Sequence, residues 1–478
     1  MLYSTKDKIT KNYDVIVIGA GLAGMTLANK LGKDGKSVLL LESHNKLGGF
    51  ATWFKRKEGE HIFDVSLHGF PVGMIKTTRK YWSKQIADRI HPLKSVRYVN
   101  PQFELETDFT KEHFIKVLNE KFQVPHETVE AFFKELAEMN FYDNSQMTNR
   151  ELFEKYFPGR NDITRFLLEP IVYANGSNLE DPAISYGIVF SNFMSKGVYI
   201  FQGGTDTMIS MMRDELLKNG VDIQTQARVE KIVIEDNSTK GVILKGNFIH
   251  SKAVVSNSNL KSTIFKMVGE SYFSNSFLEK ARAVRLNTSS CQVYLGIRAG
   301  ESIPFVGDLV FTSEDREFST DLILSPQIGS QTFSIYYPES RPHLSPKYAI
   351  VSSSNARYED WINLSQQDYE LRKNMLIQKA LDGIEKIIPG VKEKIDYIDA
   401  ATPLTVERYT LHEKGASFGT KFEGLEVSMN LHKEISGLFH AGSVGIIMSG
   451  WLGAANYGII QAHEVDGYLS RLEKGQLA

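Results

Sequence analysis

The residues best placed to do chemistry are a set of glycines and one acid near the start of the chain. Gly19, Gly21 and Gly24 are spaced as G-x-G-x-x-G directly after the apolar, β-branched run at 15–18. Leu22 and Ala23 lie within the fingerprint, and an apolar-periodic stretch at 25–31 follows. A strand, a glycine turn and a helix in that order make a dinucleotide fingerprint. Gly19 permits the tight turn, Gly21 lets the backbone approach a pyrophosphate, and Gly24 lets helix and strand pack closely. Amides at the helix start then face the phosphates, aided by the helix dipole. A second strand, 37–41, ends in Glu42, followed by Ser43. A carboxylate there accepts hydrogen bonds from ribose hydroxyls and repels a 2′-phosphate. Gly48 and Gly49 add a second glycine pair five residues on.

Elsewhere the reactive residues are sparse. Asp64 and His68 sit four apart in an aromatic-rich strand-to-loop stretch. Alone they are too little for acid–base catalysis, and read as a partly buried turn. No third or fourth ligand is spaced nearby, so no metal site is expected. Cys291 is the single cysteine, which excludes an internal disulfide and a cysteine-rich metal site.

The elements that must position these residues alternate between two textures. With 478 residues, 42% of them apolar, the chain is long enough for two or three domains. Its net charge of −2 gives no general attraction to nucleic acid. Residues 1–12 lack the apolar core of a signal, and no apolar run approaches the roughly 18 residues of a membrane span. A cytoplasmic protein is expected, with contact to a membrane periphery through a surface helix left open.

Residues 71–194 lose the β–α rhythm and carry helical periodicity at 109–122 and 126–141, with many aromatics. Those aromatics are mostly core; a few could form a greasy wall over a cofactor or a surface that meets lipid. The rhythm returns at 197–259, where Gly203 and Gly204 open a helix and 229–234, 241–244 and 248–255 alternate like antiparallel strands. Strands at 289–297, 331–338 and 348–354, with an amphipathic helix at 373–388, suggest an antiparallel sheet with a helical lid. The last strand, 438–441, enters a turn at Gly442 and Ser443, and a small-residue helix starts at Gly450, Trp451 and Leu452.

Several of these stretches carry a family pattern. The glycine fingerprint with Glu42 and the pair Gly48–Gly49, FDVSLHGF, the strand SSCQVYLGI, TPLTVERY and the AGS turn with its Gly–Ala helix follow one another along the chain. Together they resemble the phytoene desaturase, carotenoid cis–trans isomerase and retinol saturase branch of the amine-oxidase-like flavoproteins. The resemblance runs from Tyr13 to Leu469. It implies an α/β fold: a discontinuous Rossmann-type FAD-binding domain (1–85, 195–275 and 396–478) and a substrate domain (86–194 and 276–395). In that family the second glycine pair leads towards a flavin, so FAD is expected over NAD. Cys291 sits in no flavin-linking motif, so the FAD is expected to be non-covalent. Val229, Gly442, Ser443, Gly450, Trp451 and Leu452 join the fingerprint residues around the cofactor. Ser66 replaces a family glycine and Ser443 a frequent aspartate.

The resemblance further implies an oxidoreductase acting on the carbon–carbon bonds of a long polyene or isoprenoid by desaturation, saturation or isomerisation. An electron acceptor or donor would be needed, which the sequence leaves unnamed. His68, Glu407, Arg408 and Tyr409 are candidates for the flavin-facing pocket, none of them named as a base. Two rival readings share the motifs: an amine-oxidase-type enzyme releasing hydrogen peroxide, and a flavoprotein-fold lipid binder without turnover.

Overall fold

The computed structural model describes residues 12–66, 69–139, 147–193, 196–342, 347–445, 447–448 and 450–476. Its first sheet grows from the glycine fingerprint. Strand β1 (Tyr13–Ile18) pairs in parallel with β2 (Val38–Leu41), which pairs with Asp222–Gln224. On its other side β1 pairs in parallel with Asn247–Ser256, and that strand pairs with Leu438–His440. All four residues of β2 are buried, because the parallel layer is covered on both faces.

Asn247–Ser256 does two jobs. Its first four residues, 247–250, pair antiparallel with 241–244; from Ser251 on it pairs in parallel with β1, and its last four residues are all buried. Three distant chain segments thus meet in one sheet. Helix α1 (Leu22–Lys33) crosses the terminal helix Gly450–Glu473 where a Cβ on Gly458 would lie 2.4 Å from the Ala23 carbonyl. Only glycine allows that approach.

The second sheet has the order Ile395–Ala401, Ser289–Ile297, Ala349–Ala356, Ser330–Tyr336, Leu309–Ser313, Val96–Val99, Glu104–Thr107. It is antiparallel except where Leu309–Ser313 lies parallel to Val96–Val99. Three details differ from the sequence expectation. The strand Ile395–Ala401 hydrogen-bonds along Ser289–Ile297, so the boundary expected at 396 falls inside the second sheet. The region expected to be mostly helical contributes two strands, each only four residues long, too short to impose a visible period.

The third difference concerns the lid. Helix Gln366–Ile387 packs Leu376, Ala380 and Ile384 against Cys291, Val293 and Leu295. That is the face opposite Ser290, Gln292 and Tyr294, so the helix backs the sheet. Only Tyr369 and Lys373, near its start, reach the cavity described below.

The aromatic helices form a core of their own. Phe114, Phe132, Phe166 and Phe190 are fully buried among Lys111–Glu120, His126–Glu138, Asn161–Asn175 and Ala183–Phe193. Tyr98 stacks on Phe311 at 5.1 Å and fastens this cluster to the sheet.

A charge cluster ties the segment after the second sheet's Ser330–Tyr336 to the strand His61–Asp64 and the helix Gly204–Lys218. Arg341, just after Ser330–Tyr336, meets Asp64 at 2.5 Å and Asp206 at 2.6 Å. The Thr205 N–H also donates to Asp64 Oδ1, at 2.8 Å. A Cβ on Gly204 would lie 2.2 Å from the Arg341 guanidinium, so the glycine makes room for the ion pair. Asp64 is therefore a structural anchor.

Candidate active site

One cavity of about 1420 Å³ runs from the glycine fingerprint to the second sheet. At the first end its wall is backbone. Gly21 precedes α1 without a side-chain cap, leaving the first-turn amides open. Gly48 N–H donates to the Ala20 carbonyl at 2.8 Å, and a Cβ on Gly49 would lie 3.1 Å from Gly21 Cα. The two glycine motifs thus close on each other. Gly24 faces inward: a Cβ there would lie 2.2 Å from the Gly19 carbonyl.

Glu42 is buried at the end of β2. Its Oε2 accepts from Ala20 N–H at 2.8 Å and its Oε1 from His44 N–H at 2.7 Å. Oε1 also accepts from Ser43 Oγ at 3.2 Å, so the further lone pair for a ligand hydroxyl is on Oε2. The chain returns beside it: Ala227 N–H donates to the Glu42 carbonyl at 2.8 Å, which brings Val229 to the wall.

Gly19, Gly21, Leu22, Ala23, Glu42, Ser43, Gly48, Gly49, Val229, Ser443, Gly450 and Trp451 all line this cavity. Three expected residues do not. Gly24 is used for helix packing. Gly442 is closed in by the Ser258 carbonyl, 2.5 Å from a built Cβ. Leu452 fills the space over Gly73. His68 lies outside the described residues. Glu407, Arg408 and Tyr409 line the cavity further along. Glu407 accepts from Tyr358 Oη at 2.5 Å and from Lys414 N–H at 3.0 Å, so its two oxygens are engaged in structure.

Two residues at this end escaped sequence reasoning. Asn257 donates its backbone N–H to the Ile18 carbonyl (2.7 Å), accepts from Gly21 N–H (3.1 Å) and donates Nδ2 to the Ala441 carbonyl (2.8 Å). It ties the fingerprint loop to the last strand. An asparagine after a strand is a faint signal, and its partner Gly21 lies 236 positions away. His412 also lines the cavity, against Phe50 at 5.3 Å. Burial lowers its pKa, opposed by the bond between Nδ1 and the Ala416 carbonyl at 2.9 Å. A neutral ring bonded this way donates from Nδ1 and leaves Nε2 as an acceptor.

At the second end the wall is side chains. Ser290, Gln292 and Tyr294 point in from one strand, Thr332 from another, Ser353 and Asn355 from a third. Phe109, Pro170, Tyr173, Leu309 and Phe311 complete it. Of the aromatic insertion's described residues, then, one face of Asn161–Asn175 and Phe109, two residues ahead of Lys111–Glu120, contribute to this end. Behind Tyr173, one helical turn away, Glu169 is fully enclosed, and burial pushes its carboxyl up to about 8 against the pull of Arg165. Cys291 points into the core behind the sheet, where burial pushes its thiol up. Outside the cavity, Glu60, His61 and Asp396 bring ligand atoms within 4.8 Å of one another, but Lys57 already pairs with Asp396 at 2.6 Å.

Known proteins share this construction. Residues 17–84 match the NAD(P)-binding Rossmann-like domain family. A chloroplastic prolycopene isomerase from Daucus carota is 24% identical, covering 98% of this chain and 82% of the relative. An all-trans-retinol 13,14-reductase from Danio rerio is 22% identical over 86% of this chain and 78% of the relative. A 4,4′-diapolycopen-4-al dehydrogenase from Metabacillus indicus is 22% identical over 85% and 86%. The chain is a homologue of these isomerases, reductases and dehydrogenases.

Solved structures extend the fold comparison. An oxidoreductase from Methanosarcina mazei has a TM-score of 0.69 at 15% identity, covering 94% of this chain and 99% of that one. A putrescine oxidase has 0.66 at 12% identity, covering 96% and 99%. The fold is that of these oxidoreductases. Among the described residues no helix is long and apolar enough to cross a membrane.

Proposed function

We propose that this chain is an FAD-dependent oxidoreductase acting on carbon–carbon bonds of a long hydrophobic polyene, by desaturation, saturation or isomerisation. The observation that carries the reading is one cavity, continuous from the dinucleotide cradle to the second sheet, in a homologue of proteins named for carotenoid and retinoid chemistry. FAD, when bound, supplies the two-electron redox chemistry. The cradle fits such a group: uncapped amides at α1, interlocked glycines, and a buried carboxylate with capacity for ribose hydroxyls.

Around Gly21 and Leu22 the amides would hold the pyrophosphate, and Glu42 the ribose. Ser443, Gly450 and Trp451 would flank the remainder. Phe109, Phe311 and Tyr173 would hold the apolar chain and exclude water from the reacting bond. Binding is read as non-covalent with respect to sulfur, because Cys291 faces away from the cavity. The domain assignment follows the two sheets, with 395–401 moved to the substrate side. Tyr409 and Leu411 line the cavity yet are 58% and 44% exposed, an apolar rim suited to taking a polyene from a membrane surface.

The test is turnover of a panel of carotenoids and retinoids, oxidised or reduced, followed by chromatography. A product changed in double-bond number or geometry is expected. Peroxide released with an amine, and no polyene product, would move the protein to the amine-oxidase reading.

A further inference from the structure

Resting on the polyene reading, the geometry points to a narrower substrate: a polyene carrying a hydrogen-bonding oxygen at the end held against the second sheet. A terminal hydroxyl, aldehyde, ketone or carboxylate meets that description; a pure hydrocarbon does not.

The strand registers align one row across the sheet, Ala401–Gln292–Ser353–Thr332–Phe311–Tyr98. Along Ser289–Ile297 the alternation is strict: Cys291, Val293 and Leu295 enter the apolar core, while Ser290, Gln292 and Tyr294 line the cavity. Opposite Ser290 in the register lies Asn355, and opposite Gln292 lies Ser353. Three neighbouring strands thus present a contiguous polar patch, Gln292, Ser353 and Thr332, flanked in the row by Ala401 on one side and Phe311 on the other. The wall is amphipathic along its length.

The patch is organised rather than merely polar. Tyr294 Oη donates to Gln292 Oε1, and Asn355 Nδ2 donates to the Val172 carbonyl at 3.0 Å, which orients the two amides. Gln292, Tyr294, Thr332, Ser353 and Asn355 are each at most 9% exposed. From the apolar side Tyr173 brings a buried hydroxyl that has no hydrogen-bond partner among the described residues. That hydroxyl calls for water or a ligand oxygen; a hydrocarbon displaces the water and returns nothing. A ligand with one polar end and an apolar body matches the patch and the Phe311–Leu309 side together.

The test uses the full-length, flavin-loaded protein and matched polyene pairs: all-trans-retinol against its deoxy hydrocarbon, and a longer carotenoid aldehyde against its parent hydrocarbon. Binding is read from quenching of protein fluorescence. The oxygenated member of each pair is expected to bind at least about 10-fold more tightly, since a site built to hydrogen-bond a hydroxyl rejects analogues lacking it. Gln292→Leu, or Thr332→Val should the first fail to fold, is expected to erase the preference by weakening only the oxygenated ligand, with flavin content retained. Equal binding within pairs, or a preference untouched by either folded variant, would overturn the inference while leaving the polyene reading standing. Binding by no member of either pair would overturn both.

Discussion

The two ends of the cavity are built from different material. At the dinucleotide end the wall is backbone: amides, carbonyls and glycines packed so closely that a single added Cβ meets main-chain atoms. At the sheet end the wall is side chains standing on regular strands, with main-chain hydrogen bonds spent on the ladder. A backbone wall tolerates little change. A side-chain wall can be re-lettered without disturbing the fold, which is how one architecture serves isomerases, reductases and dehydrogenases.

That contrast can be broken by mutation. The largest effect is expected from Gly24→Val. Its Cβ would lie 2.2 Å from the Gly19 carbonyl, an atom that cannot swing aside. Purified variant protein is expected to lack flavin absorbance, whereas Thr332→Val at the other end should keep it. A yellow Gly24→Val protein would show that the backbone end is as forgiving as the sheet.

Next comes the junction between the ends. Arg341→Met leaves Asp64, 1% exposed, and the half-buried Asp206 without their cation. Removing one partner of such a cluster is expected to cost about 3–5 kcal/mol in denaturant unfolding.

Acid sharpens the comparison from a different side. His440 lies under the last turn of the dinucleotide end, contacting Ser428 Oγ at 2.6 Å and the Ser258 carbonyl at 3.0 Å. Burial lowers its pKa to about 4 from 6.5. Between those values the unfolded chain takes up a proton that the folded chain refuses, so stability falls as pH drops. The loss approaches about 3 kcal/mol by the lower limit. Flavin release monitored from pH 6.5 downward should report it.

The smallest effect belongs to the surface. Lys280 and Glu426 pair at 2.7 Å but are 61% and 62% exposed, so Glu426→Gln should change unfolding free energy by less than about 1 kcal/mol.

Legibility in the sequence follows the same division. Gly19, Gly21, Gly48 and Glu42 are readable because a backbone wall demands particular residue types at fixed spacing. The strands Ser289–Ile297 and Ala349–Ala356 are readable too, from their composition and alternation. Which face of them meets the cavity is not, because Gln292 and Ser353 look like the solvent side of any half-buried strand. Asn257 and the Arg341–Asp64–Asp206 cluster are illegible for another reason: their partners are brought together only by the tertiary fold. The four-residue strand Val96–Val99 and the sheet membership of Ile395–Ala401 depend on neighbours in the same way.

The most direct test of the central claim is anaerobic absorbance of the purified chain, titrated with polyenes in the oxidised state and then after reduction by dithionite. A flavin band should be present as isolated or on adding FAD. A polyene should then bleach it, or be converted by the reduced protein. A colourless protein that takes up no FAD, or a flavin that no polyene affects in either state, would contradict the claim.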